Sequence, residues 1–411
     1  MRRRAVITGI GIVAPNGIGT EAYWQATRAG KSGIKRISRF DPSSYATQLA
    51  GEVEGFKATD YLPQQLIVQT DRWTWMALAA TQMALKDAAF DPSTHEPYQM
   101  SVVTASSSGG NEFGQKEIQN LWGKAPIFVG AYQSIAWFYA ATTGQISIKY
   151  GMKGPCGVIV TEGAGGLDAL SHTRRSIRRG VDVVVSGGTE APIGPYVLVC
   201  QMRNGLLSTR KDPTAAYRPF DSAANGYVPG EGGAILLVED LEFALRRGAP
   251  RIYGEIAGYA ATHDAHHYAR PAPDGRQLAR AITLALGDAG IAPDEVNVIF
   301  ADAAGTPEGD ALEAKAIQSV FGDRAGVPVT APKSMVGRLY AGGASLDVAT
   351  ALLSIRDGIL PPTVNLDRPA EGCDLNFVTG GAREQPIDTV LINARGFGGF
   401  NSALVLRKYT R

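Results

Sequence analysis

The chain has 411 residues, 45% of them hydrophobic and 19% charged, enough apolar material for one large core or two medium ones and too much for a disordered polymer. Forty Lys+Arg against 39 Asp+Glu leave a formal charge of +1, so no global field draws the molecule to nucleic acid or an anionic membrane, and a charged partner must dock on a local patch. Cys156, Cys200 and Cys373 are widely spaced and include no C-x-x-C, which argues against a disulfide framework or structural zinc and favours a reducing cytoplasm.

The start, MRRRAVITGIGIV, mimics a signal peptide, but Gly9 and Gly11 interrupt any helical apolar region and Pro15-Asn16-Gly17 is a turn rather than a cleavage site. AVITGIGIV therefore reads as a strand. The same stretch contains GIGIVA, a G-x-G-x-x-A pattern, yet the turn at Pro15 falls where a dinucleotide-binding helix should begin, and no acidic residue follows about 20 positions on. Further along, MSVVTAS, VDVVVSGG, GGAILLVED, RIYGEIAGYAA, VNVIFADAAG, VPVTAPK and DTVLINARG read as strands. Between them TWMALAATQMALKDA, GRQLARAITLALGDAG and GDALEAKAIQSVFG carry helical periodicity. Alternation of this kind predicts an α/β fold with buried sheets. No run of about 18 apolar residues is present, so no membrane-spanning helix is expected.

Val160 to Leu170, VTEGAGGLDAL, reads as a strand end, a tight turn and the first turns of a helix. Such an elbow usually holds a nucleophile at a helix N-terminus, where N–H groups and the helix dipole lower a thiol pKa. Its tip here is Gly163. GGLDALSHTRRSIRRG (Gly165 to Gly180) and GGASLDVATALLSIRDG (Gly342 to Gly358) share a Gly-Gly opening, Leu-Asp, Ser-Ile-Arg and a closing Gly suited to a helix C-terminus. Half a chain separates them, too long for a solenoid period. Two duplicated halves are expected, residues 1–245 and 246–411, with the paired helices packed between two sheets.

Further segments complete a pattern. AGTPEGDALEAKAI (Ala304 to Ile317), PKSMVGR (Pro332 to Arg338), GFGGFNSALVL (Gly396 to Leu406) and FDSAANGYVPGEGGAILLVED (Phe220 to Asp240) resemble the GTGTPxxDxxE, PKSxxGH, closing GFGGxN and neighbouring motifs of β-ketoacyl synthases. The resemblance runs from Ile7 to Leu406 and implies the thiolase fold, five layers αβαβα built from two similar halves. An active ketosynthase needs a cysteine to carry the acyl chain and two histidines to stabilise the enolate of a decarboxylating malonyl group. By the resemblance these fall on Gly163, Asp302 and Arg338. Glycine offers no nucleophile, a carboxylate donates no hydrogen bond, and a guanidinium is no base. Asp302 and Arg338 are expected to pair, since either charge buried alone would be costly. Thr306, Asp310, Glu313, Lys333, Phe397 and Asn401 stand where a ketosynthase has them, a retained scaffold around erased chemistry.

Decarboxylating relatives keep both histidines and place glutamine at the cysteine position. The chain is instead similar to the chain length factors (KS-beta) of type II aromatic polyketide synthases, also through YQSIAWFYAATTGQISIKYGMKGP (Tyr132 to Pro155), APNGIG and GRLY. That resemblance implies a heterodimer with a catalytic ketosynthase (KS-alpha), an acyl carrier protein whose phosphopantetheine arm enters the partner, a poly-β-ketone growing through a tunnel at the subunit boundary, and no cofactor or metal of its own. GGNEFGQKEIQNLWG (Gly109 to Gly123) matches the tunnel-floor helix, with Asn111, Gly114 and Ile118 at i, i+3 and i+7 on one face. Tyr196 matches another tunnel position. A glycine at 114 and no aromatic ring at 118 imply a roomy tunnel and a backbone longer than an octaketide. The rival reading is a divergent β-ketoacyl synthase or malonyl decarboxylase working alone.

Weaker signals have plainer readings. GYVPGEGG is glycine-rich but leads into a strand, so it is no P-loop. His263, His266 and His267 could bind a metal but read as a solvated loop. Cys156 and Cys200, in apolar contexts without an adjacent histidine, are expected buried and inert. Arg174, Arg175, Arg178 and Arg179 read as a solvated helix face, with an acidic carrier protein as the other possible use.

Overall fold

The computed structural model describes residues 3–322 and 326–410; Met1 and Arg2 of the basic start lie outside them. Arg3 is anchored by Asp182 and Asp240, and Arg4 by Glu255. The strands that position the site are β1 (Ala5–Ala14), β2 (Met100–Ala105), β3 (Gly157–Ile159), β4 (Val183–Glu190), β5 (Gly232–Asp240), β6 (Gly254–His263), β7 (Val298–Phe300), β8 (Pro328–Thr330), β9 (Thr389–Gly396) and β10 (Phe400–Arg407). The helices are α1 (Arg72–Asp87), α2 (Asn111–Gly123), α3 (Gly165–Arg178), α4 (Pro195–Met202), α5 (Arg276–Ala289), α6 (Pro307–Phe321) and α7 (Ala341–Asp357).

Strand order states the duplication directly. The first half runs β3-β2-β4-β5-β1, with β5 antiparallel to both neighbours and the β2 pairings parallel. In the second half β8-β7-β9-β10-β6 repeats that order, with β10 the antiparallel member. A short contact of Val6 and Ile7 with Glu255 and Gly254 joins β1 to β6 and makes one continuous sheet. α1 packs on β1 and β5, and α5 packs in the equivalent place on β6 and β10. α3 and α7 pack on each other and on strands of both halves, forming the central layer of a thiolase-type αβαβα stack.

The glycines follow from this layering. A Cβ on Gly166 would lie 2.5 Å from the Ser345 nitrogen, and one on Gly342 would lie 2.3 Å from the Gly232 carbonyl oxygen, so the paired glycines let the central helices approach backbone directly. Gly9 and Gly11 serve the outer layer in the same way. Their Cβ atoms would meet the carbonyl oxygens of Ala84 at 2.2 Å and Ala80 at 1.9 Å, which explains the GIGIVA pattern by helix packing. α7 is buried on nearly every side, as a helix apolar all round should be. Among the described residues no helix is long and apolar enough to cross a membrane.

Candidate functional site

β3 leads through a single 3₁₀ turn, Glu162–Ala164, into α3 at Gly165. Glu162 takes a left-handed φ of 50°, and its carboxylate accepts a 2.8 Å hydrogen bond from the Phe397 N–H, which ties the elbow to the loop after β9. The mount is therefore built, and the space above it is filled. A Cβ on Gly163 would stand 2.8 Å from Arg338 Nη2 and 2.5 Å from the Arg395 carbonyl oxygen.

Asp302 and Arg338 pair as expected. Arg338 Nη1 and Nη2 each lie 3.5 Å from an Asp302 carboxylate oxygen, and Arg338 Nη2 also donates to the Arg395 carbonyl at 2.7 Å. The sequence reading missed the third member. Arg395 Nε lies 3.4 Å from Asp302 Oδ2, and the Arg395 N–H donates to Oδ1 at 3.0 Å. Asp302 is buried. Burial alone would raise its pKa, but Arg338, Arg395 and Lys333 outweigh that and hold the carboxyl well below the usual range. The remaining void, lined by Gly163, Asp302, Lys333 and Arg338 among others, is about 10 Å³, room for roughly one water.

Of the residues expected as scaffold, five make side-chain contacts that hold the local structure. Thr306 caps α6, accepting from the Gly309 N–H at 3.3 Å. Asp310 accepts from Gly305 and Phe220 N–H groups at 2.9 and 2.8 Å; burial pushes it up to about 7 against those bonds. Glu313 accepts from the Asp302 and Ala303 N–H groups at 2.7 and 2.8 Å, fixing the turn that presents Asp302. Lys333 Nζ donates to the Ala301 carbonyl at 2.8 Å and pairs with Asp347 at 2.7 Å. Asn401 donates to Asp264 at 2.7 Å. Phe397 remains partly exposed.

Asn111, Gly114 and Ile118 share a face of α2, a helix whose only buried residues are Gly114 and Glu117. Asn111, together with Glu112, Gln115, Lys116 and Gln119 on the adjoining flank, borders a cavity of about 530 Å³. Gln115 Oε1 accepts from the Tyr196 N–H at 3.0 Å, which brings Tyr196 beside the helix, its ring exposed. Asn111 is half-buried and Ile118 is exposed. Gly114 does not leave free space: Trp137 Cδ1 and Nε1 would lie 3.3 and 3.4 Å from its Cβ. Around α2 the chain exposes Trp122, Ile127, Phe128, Trp137 and Phe138, with Trp122 and Ile127 more than 80% exposed. A set of large apolar side chains of this kind marks an interaction surface. β3 is an outer strand, paired only with β2 among the described residues.

Two expectations need correction. Cys156 and Cys200 are exposed: α4 buries Val197, Leu198 and Gln201, which leaves Cys200 on its outer face, and the Cys156 thiol donates only to the Gly154 carbonyl at 3.4 Å. Only Cys373 is buried, its pKa pushed up to about 12 by desolvation. Arg174 is not solvated; it is buried, paired with Asp288 and hydrogen-bonded to the Ala257 carbonyl at 2.6 Å, a strut between α3 and the second half, while Arg175 and Arg179 are exposed. The Nδ1 atoms of His263 and His267 accept from Ala265 and Ala269 N–H groups, so these histidines shape their loop. Among the described residues no metal-ligating cluster forms.

Comparison with known proteins places these features. Residues 2–244 match the family model described as beta-ketoacyl synthase, N-terminal domain, and residues 253–367 match beta-ketoacyl synthase, C-terminal domain. The chain is 55% identical to the tetracenomycin polyketide synthase ketoacyl synthase beta subunit of Streptomyces glaucescens, and 51% identical to the actinorhodin polyketide putative beta-ketoacyl synthase 2 of Streptomyces coelicolor, covering 98% of each chain in both comparisons. Its fold superimposes on the ishigamide ketosynthase/chain length factor with a TM-score of 0.92 at 31% identity over 100% of both chains. A type II polyketide synthase acyl-carrier protein in complex with its ketosynthase bound to the hexaketide gives 0.90 at 30%, again over 100% of both chains.

Proposed function

The chain belongs to the β-ketoacyl synthase family, among the ketosynthase beta subunits of type II polyketide synthases, and from that membership we propose that it is a chain length factor without condensing chemistry of its own. The observation that carries the reading is the filled pocket. Where a condensing enzyme keeps room for a thiolate and an acyl thioester, Arg338 and Asp302 occupy the site and leave about 10 Å³. An ionised Asp302 would repel a malonyl carboxylate and the enolate formed from it, and nothing at 302 or 338 can serve as a neutral imidazole donor. A lone decarboxylase or condensing enzyme finds neither space nor an imidazole there.

What the chain supplies is shape. Its exposed apolar surface around α2 and its outer strand β3 suit a tight partner of the same fold, a cysteine-bearing ketosynthase, with the poly-β-ketone threading between the two subunits. Asn111, Gly114, Ile118 and Tyr196 then line the tunnel, the carrier protein delivers its phosphopantetheine arm to the partner, and this subunit carries no cofactor. The halves at 1–245 and 246–411 are the duplicated units, and the complex works in the cytoplasm. Co-expression with the cognate ketosynthase followed by mass measurement of the polyketide tests the reading. Ile118→Phe should shorten the product by at least one two-carbon unit while the heterodimer persists, and unchanged length would remove Ile118 from the tunnel wall.

A further inference from the structure

We propose that Trp137, rather than the residue at 114 by itself, forms the tunnel wall at the level of Gly114 and limits chain length; this rests on the chain length factor reading. The position of its indole is the starting observation. With Cδ1 and Nε1 at 3.3 and 3.4 Å from where a Gly114 Cβ would stand, the ring occupies the room that a side chain at 114 would otherwise take. A glycine here does not widen the tunnel, because the ring of Trp137 comes in from the neighbouring segment.

The backbone of that segment is firmly held. The Trp137 carbonyl accepts from the Gly110 N–H at 3.2 Å, and the Trp137 N–H donates to the Gln133 carbonyl at 3.2 Å. The preceding residue, Ala136, is fully buried, and its carbonyl accepts from the Trp73 indole at 3.5 Å. Gly109 and Gly110 permit this approach: Cβ atoms there would lie 2.2 Å from the Trp137 carbonyl oxygen and 2.1 Å from the Ala136 carbonyl oxygen. The main chain at 137 is thus fixed against the start of α2, while half of the side chain's surface stays open and is available to line a tunnel at the subunit boundary. Trp137 and Gly114 act as one unit, a large ring against a vacancy, and the ring can be moved from one position to the other.

The experiment uses the complete heterodimer with its cognate ketosynthase and carrier protein, reading product mass together with co-purification. Trp137→Ala should lengthen the dominant product by at least one two-carbon unit, and Trp137→Phe should give a smaller shift. Gly114→Phe combined with Trp137→Ala, which returns a ring from the opposite wall, should bring the length back to that of the parent. Unchanged length in Trp137→Ala with an intact heterodimer overturns the proposal. If Trp137→Ala fails to co-purify, Trp137→Leu, which retains an apolar contact, carries the same test with the same two outcomes. A parent chain that yields no polyketide with its ketosynthase refutes the chain length factor reading instead, so the two failures are distinguishable.

Discussion

Replacing Asp302 by asparagine removes the one anion that both Arg338 and Arg395 approach within 3.5 Å. Both guanidinium groups are mostly buried, with 13% and 12% of their side-chain surface exposed, and breaking such a pair from one side costs about 3–5 kcal/mol because a charge is left uncompensated. Residual partners remain for both, Glu162 at 3.8 Å and the Arg395 carbonyl at 2.7 Å for Arg338, and Glu313 at 4.0 Å and the Gly309 carbonyl at 2.7 Å for Arg395, and they place the expected loss at the lower end, about 3 kcal/mol. For a chain of 411 residues, the usual unfolding entropy per residue turns this into a Tm lower by about 3–4 °C. Circular dichroism melting of the purified parent and variant reads the shift. Asp302→Leu with Arg338→Met, which removes the anion and one of its two guanidinium partners and fills the space, should recover part of it. A single Asp302→Asn variant that melts with the parent would refute the claim that this carboxylate clamps the pocket.

Gly163→Cys should restore no acyl loading, because its Cβ would collide with Arg338 Nη2 and the Arg395 carbonyl; incubation with a radiolabelled acyl carrier protein reads this, and covalent label on the variant above the level of the parent would overturn it. Glu190, buried and pushed up to about 7 mainly by desolvation against bonds from Ser107 and Ser108, binds its proton more tightly folded than unfolded, so stability should fall as pH rises from about 4 to about 7. Glu190→Gln should flatten that slope in melts across the window, and an unaltered slope would contradict the assignment. Asp302 has the opposite sign: its lowered folded pKa gives stability that is present above about 4 and lost as pH falls below it, so Asp302→Asn should lessen the loss of Tm on acidification. An acid loss as steep as the parent's would place its origin elsewhere.

Much of the fold was legible because its causes are local or periodic. The shared Gly-Gly, Leu-Asp and Ser-Ile-Arg of α3 and α7 announced the duplication, since two helices in one central layer meet the same demand for small residues at their starts. β1, β2 and β5 lie almost where their apolar runs ended. β7 and β8 are only three residues long, because the chain leaves the sheet there to form the loops that carry Asp302 and Lys333. At the site, the pairing of Asp302 with Arg338 was legible once the family resemblance had put both at one place, because two buried opposite charges need each other. Arg395 could not, because its role depends on β9 delivering it beside a residue far earlier in the chain. Nor could the ring of Trp137 over Gly114, which a reading of α2 by itself takes for open space. Arg174 and the two exposed cysteines show the same limit: which face of a helix is covered is decided by what packs against it.

The most direct test measures carbon dioxide release and chain elongation from malonyl carrier protein by the isolated subunit and by its complex with the cognate ketosynthase. The account predicts no turnover by the subunit alone and a polyketide of defined length from the complex, whereas elongation by the isolated chain would contradict it.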